Sequence, residues 1–179
     1  MKKLVLMLML SSICLSGYSK PQPNNPLRSN DLSDTSVIFN AAPTKVEVEK
    51  ILGQAASLTD QKKEIKDNFI KRSLTYTCLE NELETNRPIN LHYILTKYTD
   101  STLARNAYDD ILKSNHNMPG QTSLSGIGNQ AWYHSDNENF SVIIVRKGDK
   151  LLLMKINKMT RKFSKEELKK VTKRITSYL

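Results

Sequence analysis

The stretch that decides the fold is Phe140–Lys158, "FSVIIVRKGDKLLLMKINK". Two runs rich in branched and apolar residues, FSVIIVR and KLLLMKINK, flank the segment Lys-Gly-Asp. Branched side chains favour strands, and Gly148 and Asp149 supply the backbone chemistry of a tight turn. The stretch therefore predicts a β-hairpin of two antiparallel strands.

Three earlier runs are also predicted to be strands. Apolar and polar residues alternate in Ile89–Tyr98, INLHYILTKY, with the period of a half-buried strand. Arg72–Glu80, RSLTYTCLE, is rich in strand-forming residues, and a short strand AWYH covers Ala131–His134. Residues 81–88 connect Arg72–Glu80 to Ile89–Tyr98, so we expect those two strands to form a second hairpin.

Three segments are predicted to be helices. Ala42–Gly53 has a proline near its first turn and a glycine where a helix would end. In Ser101–Ser114 the apolar residues fall on one half of a helical wheel and the polar residues on the other. Ser164–Leu179 begins with the capping-box spacing of Ser164 and Glu167, and its apolar residues form one stripe.

The order of these elements predicts the fold class. The chain runs helix, two strands, helix, three strands, helix, and the short turns between successive strands imply antiparallel pairing. Each helix has a single apolar stripe, which suits packing against one sheet face. We therefore expect an α+β domain in two layers, with an antiparallel sheet of about five strands and the helices on one face.

The N-terminal region predicts export. Residues 1–19 have the charged, apolar and small-residue order of a secretory signal peptide. Residues 20–36 contain three prolines and no aromatic residue, which is typical of a disordered leader or tether. A single folded domain is expected over residues 37–179. No segment has the roughly 18 apolar residues of a membrane span, so the mature chain is predicted to lack one and to be periplasmic or extracellular.

Residues 15–20, LSGYSK, resemble the lipobox of bacterial lipoproteins, but Tyr18 stands where the acylated cysteine would be. A tyrosine hydroxyl cannot form the thioether that holds the lipid. We therefore expect ordinary cleavage after Gly17 or Ser19, which releases the chain. Lipidation at Cys14, four residues earlier, is the alternative and would anchor the protein to the membrane.

Residues 146–179 are strongly basic, with 12 Lys and Arg against 3 Asp and Glu. Such a region attracts an anionic lipid surface, lipopolysaccharide or an acidic partner, although lysines also form ordinary solvated helix faces. Nucleic acid is not an expected partner, because the leader directs the chain away from it and no stacking aromatic residues are interleaved with the basic ones. The candidate contacts with an anionic surface are Lys165, Lys169, Lys170 and Lys173.

No catalytic set, cofactor site or metal site is predicted. His92, His116 and His134 share no spacing that would bring them to one metal ion. GIGNQA, residues 126–131, leads into a strand instead of a helix, so it predicts a turn and not a dinucleotide site. Cys78 and His92 would be the nucleophile and base of a cysteine-dependent hydrolase, but no orienting group accompanies them. Burial of Cys78 is the preferred interpretation.

The segment Gly126–Met154, GIGNQAWYHSDNENFSVIIVRKGDKLLLM, is similar to small exported bacterial lipoproteins and kinase-sensor ectodomains, including mycobacterial ones. In those families a glycine-rich loop leads to an aromatic strand and a VRKG hairpin. The chain departs from them in lacking the lipobox cysteine and the paired cysteines of some members. The resemblance implies an α+β domain without catalytic residues, and it assigns no site residue to this chain.

These observations lead to one functional expectation. The chain is predicted to be a non-enzymatic, exported binding or sensor domain of the bacterial cell envelope. Its partner is expected to be an unidentified envelope protein or an anionic surface. The alternatives are an envelope-surface protein held by its basic last helix or by a lipid at Cys14, and a hydrolase that uses Cys78 and His92.

Overall fold

A computed structural model describes residues 41–81, 86–116 and 118–179 of the chain. These residues form an α+β fold with an antiparallel sheet, which confirms the predicted class. The predicted signal peptide, residues 1–19, and leader, residues 20–36, lie outside the described residues and stay predictions.

Three helices and seven strands occur in the described part of the chain. All neighbouring strands pair antiparallel, in the order β1-β2-β3-β7-β6-β5-β4. The helices are α1 (Lys45–Leu52), α2 (Ser101–Ser114) and α3 (Lys165–Ser177), and the strands are β1 (Ala56–Lys66), β2 (Phe69–Cys78), β3 (Asn90–Tyr98), β4 (Gln121–Ser123), β5 (Gln130–Ser135), β6 (Ser141–Lys147) and β7 (Lys150–Ile156).

Both predicted hairpins are present. β6 pairs with β7 from Ser141 opposite Ile156 to Lys147 opposite Lys150, and Gly148 in the turn has φ of 58°. A glycine reaches this left-handed conformation without the steric cost that a β-carbon adds. β2 likewise pairs with β3, so the expected partnership across residues 81–88 is confirmed.

Side chains of the sheet divide between two faces because successive strand residues point in opposite directions. The front face carries Tyr93 of β3, and the back face carries His92 of the same strand. α1 and α3 pack on the front face and against each other. An ion pair joins these helices, because Arg174 donates from Nε and Nη2 to the two carboxylate oxygens of Glu47 at 2.6 and 2.9 Å.

The prediction that all helices lie on one face is corrected by α2, which packs on the back face. Tyr108 of α2 belongs to a buried cluster with Trp132, Val142, Ile144 and Leu151. The reason lies in β6, whose residues are buried on both faces from Ser141 to Arg146. A strand that is apolar on both sides needs cover on both sides, so the domain has three layers and not two.

The sheet also has more strands than the predicted five. The two additional strands are the edges: β1 on one side and the three-residue β4 on the other. Most residues of β1 are polar and exposed, so it lacks the alternation that marks a half-buried strand. Its pairing is continuous with β2 apart from a register shift between Leu58 and Asp60.

Two apolar cores follow from the three layers. The front core is the larger and includes Tyr93, Leu95 and Met154, each 0% exposed. Trp132 lies in the back core and its neighbour Tyr133 in the front core, so β5 contributes an aromatic residue to each. In the described ranges, none of the helices is long and apolar enough to cross a membrane.

Candidate functional site

An open cleft of about 850 Å³ lies at the end of the sheet where β2 and β7 finish. Five parts of the chain meet there: Gln54 after α1, Glu80 and Asn81 after β2, Ile89 before β3, the β5–β6 turn, and the segment 158–162 between β7 and α3. These parts are distant in sequence, so only the tertiary structure brings them together. We treat this cleft as the candidate site.

The wall formed by the β7–α3 segment is fixed by hydrogen bonds to three neighbouring elements. The Asn157 side chain accepts from Asn90 N at 2.7 Å and donates to Pro88 O at 3.0 Å. Met159 N donates to Glu138 O at 3.2 Å, which joins the segment to the β5–β6 turn. At the far end of the segment, the Ser164 amide donates to the carbonyl of the last turn of α1 at 2.9 Å. These bonds tie both ends and the middle of the segment to the rest of the fold.

The β5–β6 turn is organised by Asp136. Its Oδ1 accepts from the amides of Glu138, Asn139 and Phe140 at 3.0, 2.7 and 3.0 Å. Burial alone would raise the pKa of Asp136, but these bonds and one from the Asn139 side chain lower it overall. The turn therefore presents Asn137 and Glu138 to the cleft on a rigid backbone.

Basic groups exceed acidic ones in the cleft lining. Lys158, Arg161 and Lys162 face Glu80 and Glu138. Lys162 Nζ lies 3.7 Å from Glu80 Oε2, but both side chains are more than half exposed, so this ion pair contributes little to stability. An anionic group entering the cleft would therefore meet Lys162, a cation that is only weakly engaged.

Cys78 lies beside the cleft, but its thiol is buried in the front core at 4% exposure. Burial raises the pKa of Cys78, and the neighbouring Gln54 amide opposes that rise. His92 lies on the back face, where its Nδ1 is 3.2 Å from Thr75 Oγ1. The sheet separates the two side chains, so Cys78 and His92 do not form the dyad that the hydrolase alternative requires.

The three histidines do not converge. His92 on β3 and His134 on β5 are separated by β7 and β6, which places them roughly 14 Å apart at the usual strand spacing. His134 Nε2 lies 3.0 Å from Pro119 O, and the ring packs between Trp132 and Phe140. His116 follows the end of α2. No cluster of three or more metal-ligating side chains occurs in the described ranges.

The four lysines predicted to contact an anionic surface differ in their contacts and exposure. Lys165 turns towards the sheet and places Nζ 4.0 Å from the centre of the Tyr133 ring. Lys170 pairs with Glu167 at 3.4 Å on the exposed side of α3. Lys169 is half-buried and Lys173 is exposed. The outward part of the predicted set is therefore Lys169, Lys170 and Lys173.

Sequence reasoning did not identify the cleft residues. The run NKMTRK, residues 157–162, is basic, but it matches no motif. Glu80 and Glu138, which line the same cleft, lie in polar segments whose sequences do not indicate a binding site. No protein-family model and no curated protein sequence matches the chain. The geometry of the cleft is therefore the main basis for a functional proposal.

Proposed function

We propose that this chain is a non-enzymatic, exported binding domain of the cell envelope and that the cleft is its ligand site. The order of residues in the predicted signal peptide supports export to the periplasm or beyond. Lipidation at Cys14 remains the alternative mode of retention. The observation that carries the binding role is the cleft itself, with its hydrogen-bonded walls and its excess of basic groups.

The cleft has the properties of a preorganised binding site. Its volume of about 850 Å³ lies within the usual range for small-molecule pockets. Walls that are already fixed lose little conformational entropy when a ligand enters. Arg161 and Lys162 suit a carboxylate or phosphate group, because charged donors make the stronger hydrogen bonds. The ligand class we propose is a small molecule or an extended peptide that carries such an anionic group.

Binding to an anionic membrane surface is a second candidate. It is favoured by the outward lysines of α3, which begins directly after the segment that carries Arg161 and Lys162. Juxtaposed basic residues attract anionic lipids by about 1 kcal/mol each, and salt weakens the attraction. The cleft and the basic surface of α3 can be tested separately, because they have no basic residue in common.

The test compares two double variants that change the charge equally. Lys158→Glu with Arg161→Glu alters the cleft, and Lys169→Glu with Lys173→Glu alters α3. Amide NMR spectra of the purified chain are recorded during titration with inorganic phosphate, and binding to phosphatidylglycerol vesicles is measured by sedimentation. We expect phosphate to shift the amides of residues 158–162 in the native chain and in the α3 variant, but not in the cleft variant.

The outcomes separate the two candidates. Phosphate shifts that are absent from residues 158–162, or that survive in the cleft variant, would rule out the cleft as an anion site. Vesicle binding that is lost in the α3 variant and kept in the cleft variant would favour the membrane-surface role instead. Unchanged melting temperatures would show that both variants are folded.

A further inference from the structure

A row of polar side chains crosses the back face of the sheet. Thr75 on β2, His92 on β3 and Lys155 on β7 are directly paired neighbours in the strand register. Directly paired residues of antiparallel strands point to the same face, with β-carbons about 4.5–5.5 Å apart. All three residues are half-buried, so part of each stays in contact with solvent. The row is separate from the cleft, whose lining includes none of them.

Thr75 orients the His92 ring. Nδ1 of His92 lies 3.2 Å from Thr75 Oγ1. The hydroxyl can donate to a neutral Nδ1 or accept from a protonated one, so it supports both charge states of the ring. Nε2 makes no hydrogen bond to a described residue. When Thr75 donates to Nδ1, the ring proton lies on Nε2, which is then a donor for a ligand.

Lys155 lacks a counter-charge. Lys150, on the same strand, lies 2.8 Å from Asp149, whereas Lys155 has no hydrogen bond or ion pair with a described residue. Burial lowers the pKa of Lys155. Burial also lowers the pKa of His92, and the charge of Lys155 lowers it further. A partly buried cation costs free energy unless an anion accompanies it, so an anion bound at this row would stabilise both charged forms.

The acidic side chains around the row do not neutralise it. Asp60 is paired with Thr75 on β1, about 10 Å or two strands from His92, and lies 3.0 Å from Lys62. α2 packs on the back face through apolar residues and Tyr108, whose pKa is raised by burial, so that its hydroxyl is uncharged near neutral pH. The charged residues of α2 are exposed: Arg105, Asp109, Asp110 and Lys113. The positive charge of the row is therefore uncompensated.

We propose that Lys155 and His92 form a binding site for a doubly charged oxyanion, such as a phosphate group, on the back face of the sheet. Lys155 Nζ and His92 Nε2 donate to two oxygens of the anion, and Thr75 holds the imidazole in place. Charge-assisted hydrogen bonds of this kind are the stronger ones in proteins. The anion binds the protonated ring more tightly, so affinity increases as the pH falls through the range in which His92 titrates. The site is independent of the cleft.

Sulfate tests this site, because it stays doubly charged over the range in which histidine titrates. The ring signals of the three histidines are followed by NMR during titration with sodium sulfate at about pH 5.5 and about pH 8.0, and sodium chloride at equal ionic strength is the control for screening. We expect a millimolar Kd at His92 at the lower pH, at least about threefold tighter than at the higher pH. Equal binding at both pH values, or an equal response to chloride, would overturn the proposal.

Two variants with the same change in charge test the role of Lys155. Lys155→Met keeps the apolar stem and should weaken sulfate binding at His92 by at least about fivefold, whereas Lys150→Met, on the same strand, should change it by less than about twofold. The cleft variant, Lys158→Glu with Arg161→Glu, should keep the His92 response, so failure of this site and failure of the cleft are distinguishable. Undiminished binding in Lys155→Met, at an unchanged melting temperature, would contradict the proposal.

Discussion

Gly128 sits where the chain turns from the 126–129 loop into β5, and it has φ of 60°. A β-carbon at this position would lie 2.6 Å from Val145 Cγ1 and 2.7 Å from Arg146 O. Both neighbours are buried in β6, so they have little room to move. The residue therefore meets two constraints, a left-handed backbone and a close approach to a central strand.

Gly128→Ala is predicted to lower the free energy of unfolding by about 2–5 kcal/mol, because backbone strain and overpacking add. Urea denaturation followed by circular dichroism measures the change. Gly126→Ala is the matched control. Gly126 also has a positive φ, 72°, but a β-carbon added there would have nothing within 4 Å, so we expect a loss of only about 1–2 kcal/mol. Equal losses would show that the contact with β6 is not tight.

Residue-scale features can be predicted where local pattern is sufficient. The neighbours of GIGNQA alone predict a turn, and the structure confirms that it leads into β5. The burial of Cys78 follows from its parity with Leu74 and Tyr76 on one strand, and it too is confirmed. The opposite placement of Cys78 and His92 depends on the pairing register of two strands, which the sequence does not specify.

At the scale of elements, the ends of the helices are set by short-range hydrogen bonds. Asp100 caps α2, because its Oδ1 accepts from Thr102 N at 2.7 Å and from Leu103 N at 2.9 Å. These amides lie in the first turn and have no partner within the helix. Thr44 and Ser164 cap α1 and α3 in the same way.

Asp100→Ala should lower the free energy of unfolding by about 1 kcal/mol, because it leaves two first-turn amides without a protein acceptor. Thermal and urea denaturation report the loss. Asp109→Ala, on the exposed side of the same helix, removes the same charge without removing a cap and should change stability by less than about 0.5 kcal/mol. A similar loss in both variants would indicate a general charge effect in place of capping.

Elements with strong periodicity can be predicted from the sequence, and those without it are missed. The predictions of α2 and of the β6–β7 hairpin are confirmed, because the sequence patterns that indicate them are local. β1 resembles a polar connection in the sequence, since its side chains are solvated on most of its length. Its strand conformation comes from pairing with β2, which is a tertiary effect that overrides weak strand propensity.

At the scale of the whole molecule, two half-buried or buried histidines link stability to pH. Burial lowers the pKa of His92, and the charge of Lys155 lowers it further. Burial also lowers the pKa of His134, although the hydrogen bond to Pro119 and the charge of Asp136 oppose that shift. The unfolded chain therefore takes up protons at a higher pH than the folded chain. The contribution of these histidines to stability is therefore fully present above the ordinary histidine pKa of 6.5 and decreases as the pH falls below it.

We expect the free energy of unfolding to fall between pH 7.5 and pH 5.5, with a slope of at most about 1.4 kcal/mol per pH unit for each histidine. Urea denaturation at several pH values measures the slope. His92→Gln keeps a polar partner for Thr75 and removes one titrating group, so its slope should be smaller. His134→Gln tests the second histidine in the same way. A slope that is unchanged in both variants would contradict this origin of the pH dependence.

The layering of the molecule is the part that the sequence predicts least well. Each helix has one apolar stripe, and a stripe alone does not indicate which face of a sheet it covers. The information is present in β6, where Val142 to Val145 is apolar without interruption. Such a run favours a strand that is buried on both faces, but it does not say which helix provides the second cover. The cleft is equally hidden in the sequence, because its lining comes from distant parts of the chain.

The junction between β3 and β7 has a kinetic consequence. These neighbours in the middle of the sheet are separated by about 60 residues of chain, so the two halves join only when a distant segment arrives. Topologies dominated by such non-local contacts fold in milliseconds to seconds, far more slowly than helical bundles. A chain emerging from a ribosome would therefore keep its sheet incomplete until β7 has been synthesised.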